Sequence, residues 1–226
     1  MKHPKIHPIS KRVIFAIALS CIAMQLTAQP DSISNLPQFL YPGFARSIVK
    51  LKSGEKRTAM MNYNTVTEKM TFYQNGALLN MNNPEAADTI FLQNAKFVFH
   101  ENGFYEVLVN APISLYIQHK SNITFSGKPA AYGTSSETAG STSISKVYDD
   151  KAYNFKLPDN FKVTSSPVYW IRMNNVMYRF MSERQFLKIF PTKEGEIKKF
   201  INQSNINLKK RDDLIKLVTY CNELNR

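Results

Sequence analysis

The sequence predicts an α+β fold, in which an antiparallel β-rich domain of meander or sandwich-like arrangement is followed by a β-hairpin and a three-helix C-terminal lobe. Between residues 45 and 125, short runs rich in β-branched and aromatic residues alternate with Asn, Gly, Ser and Pro. This alternation is typical of consecutive antiparallel strands. After residue 181 the apolar period changes from two to about three and a half residues, which indicates amphipathic helices.

The first 28 residues predict a secretory signal peptide. Basic residues precede an apolar run at 13–26 that is too short to span a bilayer comfortably, and small residues up to Ala28 offer a cleavage site. We therefore expect an exported chain that begins at Gln29, has no later membrane span and lies in the periplasm or outside the cell. An alternative stays open, because the stretch ALSC resembles a lipoprotein box that would anchor the protein through Cys21.

The predicted organisation follows from this start and from the shifts in composition along the chain. Removal of the signal leaves 198 of 226 residues, enough for one large domain or two small ones. The predicted parts are the signal peptide (1–28), an N-terminal extension (29–44), the β-rich domain (45–125), a flexible Ser/Thr/Gly loop (126–150), and the β-hairpin with the helical lobe (151–226).

The charge distribution argues against a nucleic-acid partner, and the cysteine content argues against an internal disulfide. The formal charge is +12, and loss of the four basic signal residues leaves +8. Because these charges are dispersed and not interleaved with aromatic residues, we expect no nucleic-acid partner for an exported chain. The denser groups lie in a turn at 50–57 and at a helix start, Lys209-Lys210-Arg211. Cys221 would be the single remaining cysteine, so no internal disulfide is expected. Its place on an apolar helical stripe predicts a buried, unreactive thiol.

Within the β-rich domain, turn residues mark the strand ends. The strongest turn is Asn75-Gly76, since both residues tolerate the positive φ angles of a two-residue type I′ hairpin. The strand-like runs are SIVKLK, AMMNY, KMTFYQ, ALLNM, TIFLQ, KFVFH, FYEVLVN and ISLYIQHK.

The stretch VYWIRMNNVMYRFM, residues 168–181, predicts a hairpin that turns at Asn174-Asn175. In this register Trp170 faces Arg179, and Arg172 lies on the same side of the sheet. The favoured interpretation is that the C-terminal helices pack against Trp170, Val168 and Met181 while the arginines close the edge. The alternative is that Trp170, Arg172 and Arg179 form an open ligand-binding patch for an acidic glycan or peptide.

The helical lobe begins with a capping box, in which Ser182 caps the first helix and Gln185 reaches back. Pro191 ends that helix, and Thr192 is placed to cap the second. A third helix is expected from about Leu208.

No pattern for catalysis, metal binding or a cofactor is visible. Only His100 and His119 follow the signal, in separate strands, and there is no Cys-x-x-Cys, nucleophile elbow or phosphate loop. The chain is therefore expected to be a non-catalytic envelope or surface protein that binds a glycan, peptide or protein partner in preference to a small molecule. Two alternatives stay open: an enzyme that acts on envelope polymers through dispersed residues, and a structural subunit of an envelope complex.

Several short motifs carry a resemblance. Asp31-Ser32-Ile33 and Asp88-Thr89-Ile90 look like an O-glycosylation signal of exported Bacteroidota proteins, with Ser32 and Thr89 as acceptors. The chain resembles a group of uncharacterised exported proteins of Bacteroidota, which implies export and a two-part layout but carries over no catalytic residue. The stretches that carry this resemblance are YPGF (41–44), GFYEVL (103–108), AYGTSS from residue 131, FLKIFP (186–191) and EIKKFI (196–201).

Overall fold

The order of elements follows the sequence pattern, with strands first and helices last. A computed structural model describes residues 35–101, 103–125 and 161–225. The α+β class is confirmed. The strands are β1 (Ala45–Leu51), β2 (Lys56–Asn64), β3 (Lys69–Gln74), β4 (Ala77–Asn80), β5 (Ala87–Leu92), β6 (Ala95–His100), β7 (Gly103–Val109), β8 (Ser114–Gln118), β9 (Ser121–Phe125), β10 (Phe161–Ser165), β11 (Val168–Met173) and β12 (Val176–Phe180). The helices are α1 (Glu183–Leu187), α2 (Glu194–Gln203) and α3 (Arg211–Leu224).

Three predictions lie outside the described residues: the signal peptide with Cys21, the Ser/Thr/Gly loop at 126–150, and the acceptor Ser32. Among the described residues, none of the helices combines the length and the apolar content that a membrane span requires.

Ten of the described strands form one antiparallel sheet in the order β12-β11-β8-β7-β6-β5-β1-β2-β3-β4. The predicted hairpin is part of this sheet, because β11 pairs with β8. Strands β9 and β10 pair separately. The predicted two-residue turns are confirmed at both hairpins, because all four turn residues have positive φ angles. The angles are 52° and 82° at Asn75 and Gly76, and 52° and 63° at Asn174 and Asn175.

The two faces of the sheet follow from the register, since directly paired residues share a face. Val49 pairs with Ile90, Ile90 with Phe97, and Phe97 with Glu106. The row continues through Ile117 to Tyr169. We call the face that carries this row the inner face, because both hydrophobic clusters of the described chain lie on it.

The sheet curls strongly, so that the turn between β2 and β3 meets the end of β8, although four strands separate β2 from β8. Ser121 N donates to Thr65 O at 2.9 Å, and Thr65 Oγ1 donates to Ser121 Oγ at 2.8 Å. Glu68 accepts from Gln118 at 2.8 Å and pairs with Lys120 at 3.0 Å. These contacts hold the curled sheet around the first hydrophobic cluster, whose buried residues include Met61, Tyr63, Met70, Ile90 and Phe97.

The three helices pack on the inner face at the other end of the sheet. Their buried residues join Leu115, Ile171 and Phe180 in a second cluster. Cys221 is fully buried there, as its position on the apolar stripe predicts, and burial raises the pKa of its thiol to about 12.

The helix starts confirm the predicted cap at Ser182 and correct the predicted cap of the second helix and the predicted start of the third. Ser182 Oγ accepts from Gln185 N, as expected, while Gln185 Oε1 accepts from Met181 N. The expected cap at Thr192 is wrong, because α2 begins at Glu194 and its capping position is held by Lys193 without a side-chain bond. The third helix starts three residues later than predicted, because Asn207 forms a turn whose backbone N donates to Asp213 Oδ2.

Candidate ligand-binding groove

A groove of about 600 Å³ opens on the inner face of strands β1 to β3. It lies beneath the connection from β4 to β5, which must cross β3, β2 and β1 to reach its place in the sheet. This connection is fixed at both ends: Met81 N donates to Met70 O at 2.9 Å, and Lys52 N donates to Ala86 O at 2.9 Å. The groove therefore has a floor of strands and a wall of connecting chain.

The lining of the groove is mostly apolar. The strands supply alternate residues of β1 and β2 because every second side chain points to the same face. These are Val49 and Leu51 from β1, Ala59 and Met61 from β2, and Phe72 from β3, while the connection supplies Met81, Asn83 and Ala86.

Two small residues of the inner face, Ser47 and Ala59, leave space between the larger side chains that line the groove. Ala59 of β2 pairs with Ser47 of β1, so at this position neither strand places a large side chain on the inner face. Four residues along the same strand, Tyr63 is fully buried and stacks on Phe97 with 5.7 Å between ring centroids. One end of the curled sheet is therefore packed and the other is open.

A basic turn borders the open end. Arg57 lines the groove and pairs with Glu55, with Nε to Oε1 at 2.8 Å and Nη2 to Oε2 at 3.2 Å. This hydrogen bond lowers the pKa of Glu55. Both side chains are more than half exposed, so solvent screens the pair. Lys50 pairs with Asp88, whereas Lys52 is exposed and has no ion-pair partner among the described residues.

The predicted Trp170 patch lies elsewhere, on the outer face of the sheet. The hairpin register is confirmed, with Trp170 opposite Arg179 and Arg172 opposite Met177. Trp170 is half-buried and meets Tyr105 edge-on, with 5.8 Å between centroids. Its Nε1 is buried and has no acceptor among the described residues.

The favoured interpretation of this hairpin is wrong, because the helices do not pack against Trp170, Val168 and Met181. They pack on the opposite face, against Ile171 and Phe180, and Met181 is 72 % exposed. Both faces of the hairpin are rich in apolar residues, so their alternation alone could not assign the helices to one of them.

Arg172 and Arg179 are exposed on either side of Trp170. Arg179 Nη2 donates to Met181 Sδ at 3.2 Å. A hollow of about 10 Å³ lies beside Arg172, His100 and Tyr105, which is no larger than one water molecule. The structure thus brings the three predicted residues together on one face, where the hollow beside Arg172 has room for no more than one water molecule.

The predicted acceptor Thr89 is only 6 % exposed, and its hydroxyl donates to Asp88 Oδ2 at 3.1 Å. Lys50, which also bonds Asp88, keeps the pKa of that carboxyl below its ordinary value. Glycosylation of Thr89 stays a prediction.

A buried ion cluster, whose partners no sequence pattern indicated, joins the sheet to α3. The side chain of Glu106 is 3 % exposed and lies on the inner face between the two hydrophobic clusters. His119 Nε2 lies 2.6 Å from Glu106 Oε2, and Arg211 Nη2 donates to Oε1 at 2.5 Å. Burial alone would raise the pKa of Glu106, but the bonds and charges of its two partners hold it below its ordinary value.

Tyr41 and Tyr169 face the same cluster, and burial raises the pKa of each of them. Among the described residues, no group of three or more His, Cys, Asp or Glu side chains is placed to hold a metal ion.

Comparisons with protein-family models, with curated proteins and with solved structures found no match. Function is therefore inferred from the geometry of these sites.

Proposed function

We propose that the chain is an exported, non-catalytic envelope or surface protein that binds an apolar ligand in the groove between β1–β3 and the β4–β5 connection. The observation that carries this proposal is the groove itself. Its volume of about 600 Å³ lies within the range of about 300 to 1,000 Å³ that is usual for ligand pockets. Apolar side chains make up most of its lining, as is usual for ligand pockets, and the polar lining residues are Arg57, Thr58, Tyr73, Gln74 and Asn83.

The groove exposes apolar side chains to water next to an otherwise packed cluster. An apolar ligand would remove that surface from water, and each buried methylene group contributes about 0.8 kcal/mol. Affinity is therefore expected to rise roughly fourfold for each methylene added to an alkyl chain, until the groove is full.

A neutral apolar probe tests this proposal without any contribution from charge. N-phenyl-1-naphthylamine, whose emission rises in apolar surroundings, is titrated with the chain from residue 29 to 226. Saturable binding is expected in the wild type. Ala59→Phe and Ala86→Phe, which fill the groove from its floor and from its wall, are expected to abolish it.

The matched control is Ala77→Phe, which adds the same side chain at an exposed position of β4 that does not line the groove. Circular dichroism and urea unfolding establish that each variant is folded. If the probe does not bind, or if folded variants at Ala59 and Ala86 bind it as the wild type does, the groove is not the site.

A second candidate is an acidic glycan or peptide at Trp170, Arg172 and Arg179. The observation that favours it is that the helices pack on the opposite face, which leaves both arginines exposed beside the half-buried ring. The emission of Trp170, the single tryptophan, is measured during titration with a uronic-acid oligosaccharide. A saturable change that Arg172→Ala or Arg179→Ala abolishes in a folded protein would support this site, and no change would reject it for that class of ligand.

A further inference from the structure

The charge at the border of the groove bears on the ligand's chemical class. Arg57 is the one charged side chain among the described residues that line the groove. It pairs across the sheet with Val49, a buried residue of the inner face, so its stem follows the same face as the apolar lining. A cation at the mouth of an apolar groove suits a ligand that carries a negative charge at the end of an apolar chain.

Arg57 is already arranged for a carboxylate. Its Nε and Nη2 atoms donate to the two oxygens of Glu55 at 2.8 and 3.2 Å, which is the two-point geometry that a guanidinium fork favours with a carboxylate. Glu55 lies in the turn between β1 and β2, and its side chain is 53 % exposed. Because solvent screens such a pair, a carboxylate presented from the groove can take the place of Glu55.

The surroundings favour this exchange. Lys52 and Lys56 flank the pair, are exposed and have no ion-pair partner among the described residues. The turn at 52–57 carries three cations against the one carboxylate of Glu55, and this excess of positive charge stabilises a further anion at this position.

We infer that the ligand is a long-chain carboxylate, a fatty acid anion, whose alkyl chain lies in the groove and whose carboxylate binds Arg57 in place of Glu55. This inference rests on the proposed function, because it assigns the head group of the ligand that the groove holds. Glu55 is then an internal competitor for the position of the head group, because it bonds the same two donors of Arg57.

Displacement of the neutral probe by dodecanoate and by dodecanol, at pH 7.5 and below their aggregation limits, tests the inference. The two ligands share a chain length and differ in charge. Dodecanoate is expected to bind the wild type about fivefold more tightly. Arg57→Gln is expected to bring the two affinities together. Glu55→Gln, which removes the competitor, is expected to raise the affinity for dodecanoate about threefold and to leave that for dodecanol unchanged.

Lys188→Gln, a change of the same charge at an exposed position next to α1, controls for the net charge of the protein. It should leave the ratio of the two affinities unchanged. Equal binding of acid and alcohol in the wild type, or a preference that survives Arg57→Gln, overturns the head-group inference while the groove stands. Failure of the neutral probe to bind overturns the proposed function instead, so the two failures are distinguishable.

Discussion

Replacement of Arg211 by methionine tests the ion cluster that joins α3 to the sheet. Methionine keeps most of the length and apolar character of the arginine stem and removes the guanidinium. Glu106, with a side chain only 3 % exposed, then loses its bond at Oε1 and keeps the contact of Oε2 with His119. A buried carboxylate with one partner missing is less stable than one with both.

The magnitude follows from the exposure of the two partners. Removing one member of a buried ion pair costs about 3 to 5 kcal/mol. Arg211 is 49 % exposed, so water screens its charge in the wild type and can reach Oε1 in the variant. We therefore expect a loss of about half that range, roughly 2 kcal/mol in the free energy of unfolding.

Urea unfolding at pH 7 measures this difference. The control is Arg172→Met, the same substitution at an exposed arginine that has no ion-pair partner among the described residues. That variant is expected to change the free energy of unfolding by no more than about 0.5 kcal/mol. If Arg211→Met falls within the same limit, Arg211 does not stabilise the buried charge of Glu106.

The pH dependence gives a second test. Because the folded-state pKa of Glu106 lies below its ordinary value, its contribution to stability is present above the unfolded-state pKa, about 4.3. That contribution is lost as the pH falls through the folded-state pKa, where Glu106 becomes protonated. The difference between wild type and Arg211→Met should therefore shrink below about pH 4. A difference that is constant down to pH 3 would contradict an electrostatic origin.

Three further predictions concern single groups. Tyr63→Phe should leave the free energy of unfolding unchanged or raise it by up to about 1 kcal/mol, because the buried hydroxyl has no hydrogen-bond partner among the described residues; a loss in urea unfolding would reveal a partner. Cys221→Ser should cost about 1 to 3 kcal/mol, because it buries a hydroxyl in an apolar cluster; unchanged thermal unfolding would contradict this. Asn175→Gly should stabilise the hairpin by a few tenths of a kcal/mol, because its φ angle is 63°; a lower midpoint of thermal unfolding would be inconsistent with the type I′ turn.

Features set by neighbours in sequence were predictable. The turns at Asn75-Gly76 and Asn174-Asn175 depend on residues that accept positive φ angles, and a two-residue turn then determines the strand register. Burial of Cys221 follows from helical spacing. The expected cap at Thr192 failed although it was local, because α2 begins only at Glu194.

Features that depend on distant parts of the chain were not predictable. Glu106 and Arg211 are 105 positions apart, and nothing in either neighbourhood indicates that they meet. The one local trace was a carboxylate inside the apolar run FYEVLV, which calls for a buried partner but does not say which.

The groove also depends on parts of the chain that are distant in sequence. It exists because the β4–β5 connection crosses three strands above the small residue Ala59, and the sequence shows neither the crossing nor the curl. From the sequence we expected a glycan, peptide or protein partner, whereas the groove is the reason that we propose an apolar ligand. Export, the partner and the absence of catalysis stay proposals.

The most direct test of ligand binding in the groove uses the methionine methyl groups of the folded chain. Met61 and Met81 line the groove, whereas Met177 lies on the outer face with Trp170. The chain from residue 29 to 226 is labelled at methionine methyl carbons, the signals are assigned by single substitutions, and dodecanoate is added. The proposal predicts saturable shifts at Met61 and Met81 with Met177 unchanged. Shifts confined to Met177, or no shift at Met61 and Met81, would contradict it.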